Sequence, residues 1–174
     1  MEEPIWVRVS GFLILAISVL CLSLALYLQI AKDWYPCALC IAQRYLYLFT
    51  ALAGLLVGVS AVSRRRTKTF RWSPSVAAAL AMMGFMIAAY HQWVLWQPEQ
   101  TCGAGPLQTW LNNLPWVPFV WVMFEADGLC TDSYPPLLGL SLPMWSTVGF
   151  MLQFTLALMA WHASRPFSVF KVSR

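Results

Sequence analysis

Two cysteines separated by two residues stand beside a proline and upstream of an arginine, in Pro36-Cys37-Ala38-Leu39-Cys40-Ile41-Ala42-Gln43-Arg44. Cys102 and Cys130 follow far downstream, and Cys21 precedes them all. A Cys-x-x-Cys pair can serve as a redox dithiol, a structural disulfide or half of a zinc site. Zinc usually wants two close pairs, and Cys102 and Cys130 are far apart with no histidine near them in sequence, so no metal is expected. Two inert structural disulfides are a stronger competitor. Against them, a Cys-x-x-Cys loop is tight, and strained or exposed disulfides are typically the labile or catalytic ones. Pro36 suits the first position of a helix, so the pair meets the positive end of a helix dipole, which favours thiolate. Arg44, four residues after Cys40, falls on the same helix stripe, where a guanidinium stabilises a thiolate further. The same arginine would also serve as a snorkelling interface anchor, or hold the polar head of a lipid-soluble electron acceptor. Redox chemistry is the favoured reading.

The elements that must position these residues are membrane helices. Of the 174 residues 60% are apolar and 10% charged, against about 25% charged in a soluble domain. Disorder is excluded by that hydrophobicity, and a net charge of +4, gathered in one place, argues against a nucleic-acid module. A bilayer needs about 20 apolar residues per helix. Four stretches qualify, and they predict a single all-α membrane domain with spans of about 9–30, 41–62, 74–96 and 143–162 and loops of about 31–40 and 97–142. Pro135 and Pro136 make the approach to the last span irregular, and Pro143 suits its first turn. Glu2, Glu3 and a single Arg8 make a poor basic leader, and the run after them exceeds the usual signal-peptide core, so the first span is expected to be retained. Cys21 lies inside it, where a thiol behaves as a small hydrophobe.

A fifth uncharged run, 100–124, holds Gly103, Gly105, Pro106, Pro115 and Pro118, which would leave backbone groups unsatisfied in lipid. Leu107, Trp110, Leu111 and Leu114 nonetheless recur at helical spacing. This segment reads either as a short helix lying in the membrane surface or as an ordinary loop helix packed on the bundle. Orientation follows the bases. Arg64, Arg65, Arg66, Lys68 and Arg71 crowd the link between the second and third spans, and Arg8, Arg165, Lys171 and Arg174 lie near the termini. The opposite links hold only Lys32 against Asp33, Glu99, Glu125, Asp127 and Asp132. Both termini are therefore expected in the cytoplasm, and the four loop cysteines on the oxidising side, where disulfides persist.

With Pro36 to Arg44, Cys102-Gly103, Asp127-Gly128-Leu129-Cys130 and Leu138-Gly139-Leu140-Ser141-Leu142-Pro143-Met144-Trp145 in this order, the chain resembles the disulfide bond formation protein B (DsbB) family over nearly its whole length. That family comprises bacterial inner-membrane thiol:quinone oxidoreductases. The resemblance implies four catalytic cysteines, Cys37, Cys40, Cys102 and Cys130, and a periplasmic thioredoxin-fold partner of the DsbA kind. The partner would attack Cys102 of a Cys102–Cys130 disulfide, forming a mixed disulfide. Electrons would pass from Cys130 to Cys37 of the Cys37–Cys40 pair, and from Cys40 to ubiquinone or menaquinone. It also implies quinone contact for Arg44, and places His91 near the quinone, where it could equally be a belt residue meeting water. Leu129 departs from the family, being apolar where many members carry an acidic or polar residue. A vitamin K epoxide reductase-type thiol oxidoreductase and a non-catalytic membrane scaffold with structural disulfides are the alternatives.

Overall fold

The computed structural model describes residues 3–62, 68–97, 105–132 and 134–164. The basic link Arg64–Arg66 and the tail bases Arg165, Lys171 and Arg174 lie outside them. Four long helices dominate: α1 (Glu3–Lys32), α2 (Ala38–Val62), α3 (Lys68–Trp96) and α6 (Leu142–Ser164). Each is long and apolar enough to cross a membrane. Between α3 and α6 lie two short helices, α4 (Pro106–Asn112) and α5 (Trp121–Phe124), with a 3-10 turn at Val117–Phe119. The long helices neighbour one another in the cyclic order α1–α2–α3–α6. This is the expected all-α four-helix membrane architecture.

Small residues set the closest contacts. A Cβ on Gly11 would come within 2.4 Å of the Gly58 backbone, and one on Gly84 within 2.3 Å of the Phe150 ring. Without an oil–water difference to drive association, such close backbone approach is how helices gain packing energy in lipid. On α1 the buried residues Val7, Gly11, Ile14, Ser18 and Leu22 recur every three or four positions, while Leu13, Leu20, Leu24 and Ile30 face outward. The bundle interior is layered along its axis. Val7, Val57 and Ala160 close one end, and Ile14, Ala53, Ala77 and Ala157 follow. Next comes a buried polar layer, in which Gln153 donates to Ser18 at 2.8 Å and Ser18 pairs with Thr50 at 3.2 Å. Leu22, Leu46, Tyr47 and Phe150 lie beyond, with Tyr47 stacked on Phe150. Cys37, Leu39, Val94 and Cys130 complete the far end. Cys21 belongs to the Tyr47–Phe150 layer, away from the other cysteines, in accord with a packing role.

The segment 105–132 packs on the bundle. Leu111, Val117, Phe124 and Ala126 are buried against Ala38 and Ile41 of α2, Phe124 stacks on Tyr45, and the Trp116 indole donates to the Tyr45 hydroxyl at 2.9 Å. Its other side leaves Trp110, Phe119 and Trp121 exposed. The helical spacing noticed in Leu107, Trp110, Leu111 and Leu114 therefore splits between the two expectations: Leu111 belongs to the core, while Trp110 and Leu107 face outward.

Candidate functional site: three thiols and a histidine

The start of α2 differs from the sequence expectation by two residues. The helix opens at Ala38, and Pro36 lies outside it because its carbonyl is taken by the loop: the backbone N–H groups of Asp127 and Gly128 both donate to it at 3.0 Å. Cys37 is the capping residue. Its carbonyl accepts the first helical bond, from Ile41 at 3.0 Å, and its Sγ accepts from the Cys40 N–H at 3.4 Å. A side-chain acceptor facing the third helical N–H is the ordinary geometry of an N-cap, here made by sulfur.

The Asp127-Gly128 turn brings Cys130 to the same point. Gly128 packs directly on the Tyr35–Pro36 backbone, where a Cβ would meet the Tyr35 carbonyl oxygen at 2.4 Å. Further along, the Tyr134 hydroxyl donates to that carbonyl at 3.0 Å, and the Tyr134 ring stacks on Trp34. Behind the turn, Asn112 both donates to the Ala126 carbonyl and accepts from its N–H, and Gln108 donates to the same carbonyl at 2.7 Å. The loop is thus clamped on both sides of Cys130.

The result is a row of sulfurs. Cys37 Sγ donates to Cys40 Sγ at 3.4 Å, as thiols rather than a bonded pair, and it also hydrogen-bonds the thiol of Cys130. The contacts with Cys130 and then Cys40, together with burial, push the Cys37 thiol well above the usual pKa range. Cys37 and Cys130 are 2% and 0% exposed. His91, from α3, turns Nε2 toward Cys37 Sγ at 3.7 Å, and its Nδ1 lies 3.3 Å from the Gln43 amide nitrogen. A small open cleft reaches Cys37, Cys40 and His91 between Leu95, Leu129 and Pro143.

Arg44 lies one helical turn beyond Cys40 on α2. It is 5% exposed, so it does not snorkel. One guanidinium nitrogen donates to Gln29 of α1 at 2.8 Å and to the Met123 carbonyl at 3.0 Å, with Val122 at 3.5 Å. Its Nε is buried and has no partner among the described residues. Cys102 lies outside the described residues. Gln29 and Gln43 are functional candidates that sequence reasoning passed over. Both are amides inside otherwise apolar spans, which was the available signal.

The family model for disulfide bond formation protein DsbB matches residues 7–160. The chain is 38% identical over 151 residues to "Disulfide bond formation protein B" of Cupriavidus necator, covering 86% of this chain and 90% of that protein. It is 37% identical over 161 residues to "Disulfide bond formation protein B 1" of Pseudomonas putida, covering 91% and 93%. The Herminiimonas arsenicoxydans protein of the first name is 36% identical over 141 residues, covering 81% and 86%. With four membrane-spanning helices and a cysteine cluster at one end of them, this chain belongs to the disulfide bond formation protein B family.

Proposed function

We propose that the chain is a thiol:quinone oxidoreductase of the bacterial inner membrane that reoxidises a periplasmic, DsbA-like thiol oxidase. One observation carries the reading: Cys37 is hydrogen-bonded to Cys130 on one side and to Cys40 on the other, the order in which a two-electron relay would use them. The partner's thiolate attacks Cys102 of a Cys102–Cys130 disulfide and forms a mixed disulfide, releasing Cys130 as thiolate. The partner's second thiolate then resolves the mixed disulfide. Cys130 attacks Cys37 of the Cys37–Cys40 disulfide, and Cys40 leaves as the thiolate. Cys102 then attacks Cys130, restoring the Cys102–Cys130 disulfide and releasing Cys37 as thiolate. A bound quinone would take two electrons from Cys37 and Cys40, with two protons, as they rejoin. His91 lies beside the sulfurs to accept or return a proton. The Arg44 Nε, a buried donor with no partner among the described residues, suits a quinone carbonyl. The crowding of bases at the opposite ends of the helices supports cytoplasmic termini and a periplasmic cysteine face.

Purified protein mixed with a reduced DsbA-like partner and ubiquinone should bleach the quinone. Full activity in a Cys40→Ser variant would refute the mechanism. A Cys130→Ser variant should accumulate a mixed disulfide at Cys102, and mass spectrometry would identify the attached protein. Arg44→Ala should mainly raise the apparent KM for quinone, and an unchanged KM would restrict Arg44 to holding α1, α2 and the loop together.

A further inference from the structure

In its dithiol form the same cluster has the geometry of a metal site. One ligand atom from each of Cys37, Cys40 and His91 lies within 4.8 Å of the other two. The individual separations are 3.4 Å from Cys37 Sγ to Cys40 Sγ and 3.7 Å from Cys37 Sγ to His91 Nε2. A tetrahedral zinc ion, with metal–sulfur bonds of about 2.3 Å and metal–nitrogen bonds of about 2.05 Å, sets its ligand atoms about 3.8 Å apart for two sulfurs and about 3.6 Å for sulfur and nitrogen. These two separations differ from the ideal by a few tenths of an ångström, and the third, from Cys40 Sγ to His91 Nε2, lies within 4.8 Å, so side-chain rotations must draw Cys40 and His91 together around the ion. The histidine missing from the neighbourhood of the cysteines in sequence is supplied by α3.

We propose that the reduced chain binds a thiophilic, tetrahedral ion of the zinc class through Cys37, Cys40 and His91. Binding is not redox: Cys37 and Cys40 each release a proton, and no electron moves. His91 ligates through Nε2 and keeps its ring proton on Nδ1, where Gln43 accepts it once the amide presents its oxygen. Such an outer contact fixes the ring and raises metal affinity. Cys130, hydrogen-bonded to Cys37, borders the fourth position. The cleft between Leu95, Leu129 and Pro143 gives the ion a way in. The two sulfurs that bind the ion are the two that must otherwise join, so metal and disulfide exclude each other. The site stands on these side chains whether or not a quinone is the electron acceptor.

The test uses the full-length protein in detergent, reduced, freed of reductant and titrated with Co2+ under anaerobic conditions. Visible ligand-field bands of tetrahedral cobalt and a near-ultraviolet sulfur-to-cobalt band should appear, and zinc should displace them. Gln43→Leu should weaken binding about 10- to 100-fold, as loss of an outer-shell partner does, and Cys21→Ser should leave it unchanged. Oxidising the unmutated protein should abolish the bands, and reduction should restore them. Absence of tetrahedral bands in the reduced protein would overturn the proposal. So would bands that survive oxidation or the double change Cys37→Ser and Cys40→Ser.

Discussion

Gly128→Ala perturbs the relay without touching a sulfur. The added Cβ would lie 2.4 Å from the Tyr35 carbonyl oxygen and 3.1 and 3.3 Å from the carbonyl carbons of Tyr35 and Pro36. All three are backbone atoms, fixed by the start of α2 and by the Tyr134 hydroxyl. The turn itself must therefore retreat, by about 1 Å to restore ordinary contact at 3.4 Å. That retreat lengthens the two 3.0 Å hydrogen bonds from Asp127 and Gly128 to Pro36, each contributing about 1 kcal/mol net. The clamp from Asn112 and Gln108 onto Ala126 is untouched, so the loop stays docked while Cys130, two residues on, moves off Cys37. A misplacement of about 1 Å at a reacting pair can cost about 100-fold in rate. Quinone reduction driven by the reduced protein partner should fall by about that factor. In a background lacking Cys102 and Cys130, where dithiothreitol reduces the Cys37–Cys40 pair directly, Gly128→Ala should change nothing. Wild-type turnover with the protein partner would refute the reasoning, as would an equal loss in both assays.

Other substitutions separate roles in the same region and below it. Gln29→Leu removes the side-chain acceptor 2.8 Å from Arg44; a hydrogen bond to a charged group contributes about 1.5–3 kcal/mol, and thermal unfolding in detergent should show a loss of that size. Gln153→Leu should be close to neutral by the same assay, within about 1 kcal/mol for an uncharged pair, because Ser18 keeps its bonds to Ile14 and Thr50 and the change removes a buried Oε1 that has no partner among the described residues. Cys130→Ala removes the largest of the contacts that hold the Cys37 thiol up. The pH midpoint for alkylation of Cys37 in the reduced protein, followed by mass spectrometry, should therefore move to lower pH, and an unchanged midpoint would contradict that cause.

The four long helices are legible in the sequence because charge is excluded from them, and the dithiol at the start of α2 because its spacing is local. What the sequence hides depends on rotation and docking. His91 faces the thiols only because α3 neighbours α2 with that side turned inward, and a lone histidine carries no sign of its facing. Arg44 looks like an anchor or a ligand, yet its partners Gln29 and Met123 come from α1 and from the loop. The apolar spacing of segment 105–114 is the same whether a residue meets lipid or protein, so Leu111 and Trp110 could not be told apart. A usable signal did exist. Gln29, Gln43, Gln92 and Gln153 are amides within apolar spans, and each is hydrogen-bonded outside its own helix, three of them to another helix and Gln92 to Ser141 just before α6.

The sulfur cap on α2 ties the backbone to the electron count. Closing the Cys37–Cys40 bond makes the capping sulfur part of a disulfide, a poorer acceptor for the Cys40 N–H than the thiol or thiolate that caps the helix now, and reopening the bond returns the cap. The first turn of the helix should therefore loosen and tighten once per catalytic cycle. The Cys40 amide becomes a built-in gauge: its hydrogen exchange should run faster in the oxidised protein than in the reduced one, reporting the redox state of the site without a chromophore or an added probe.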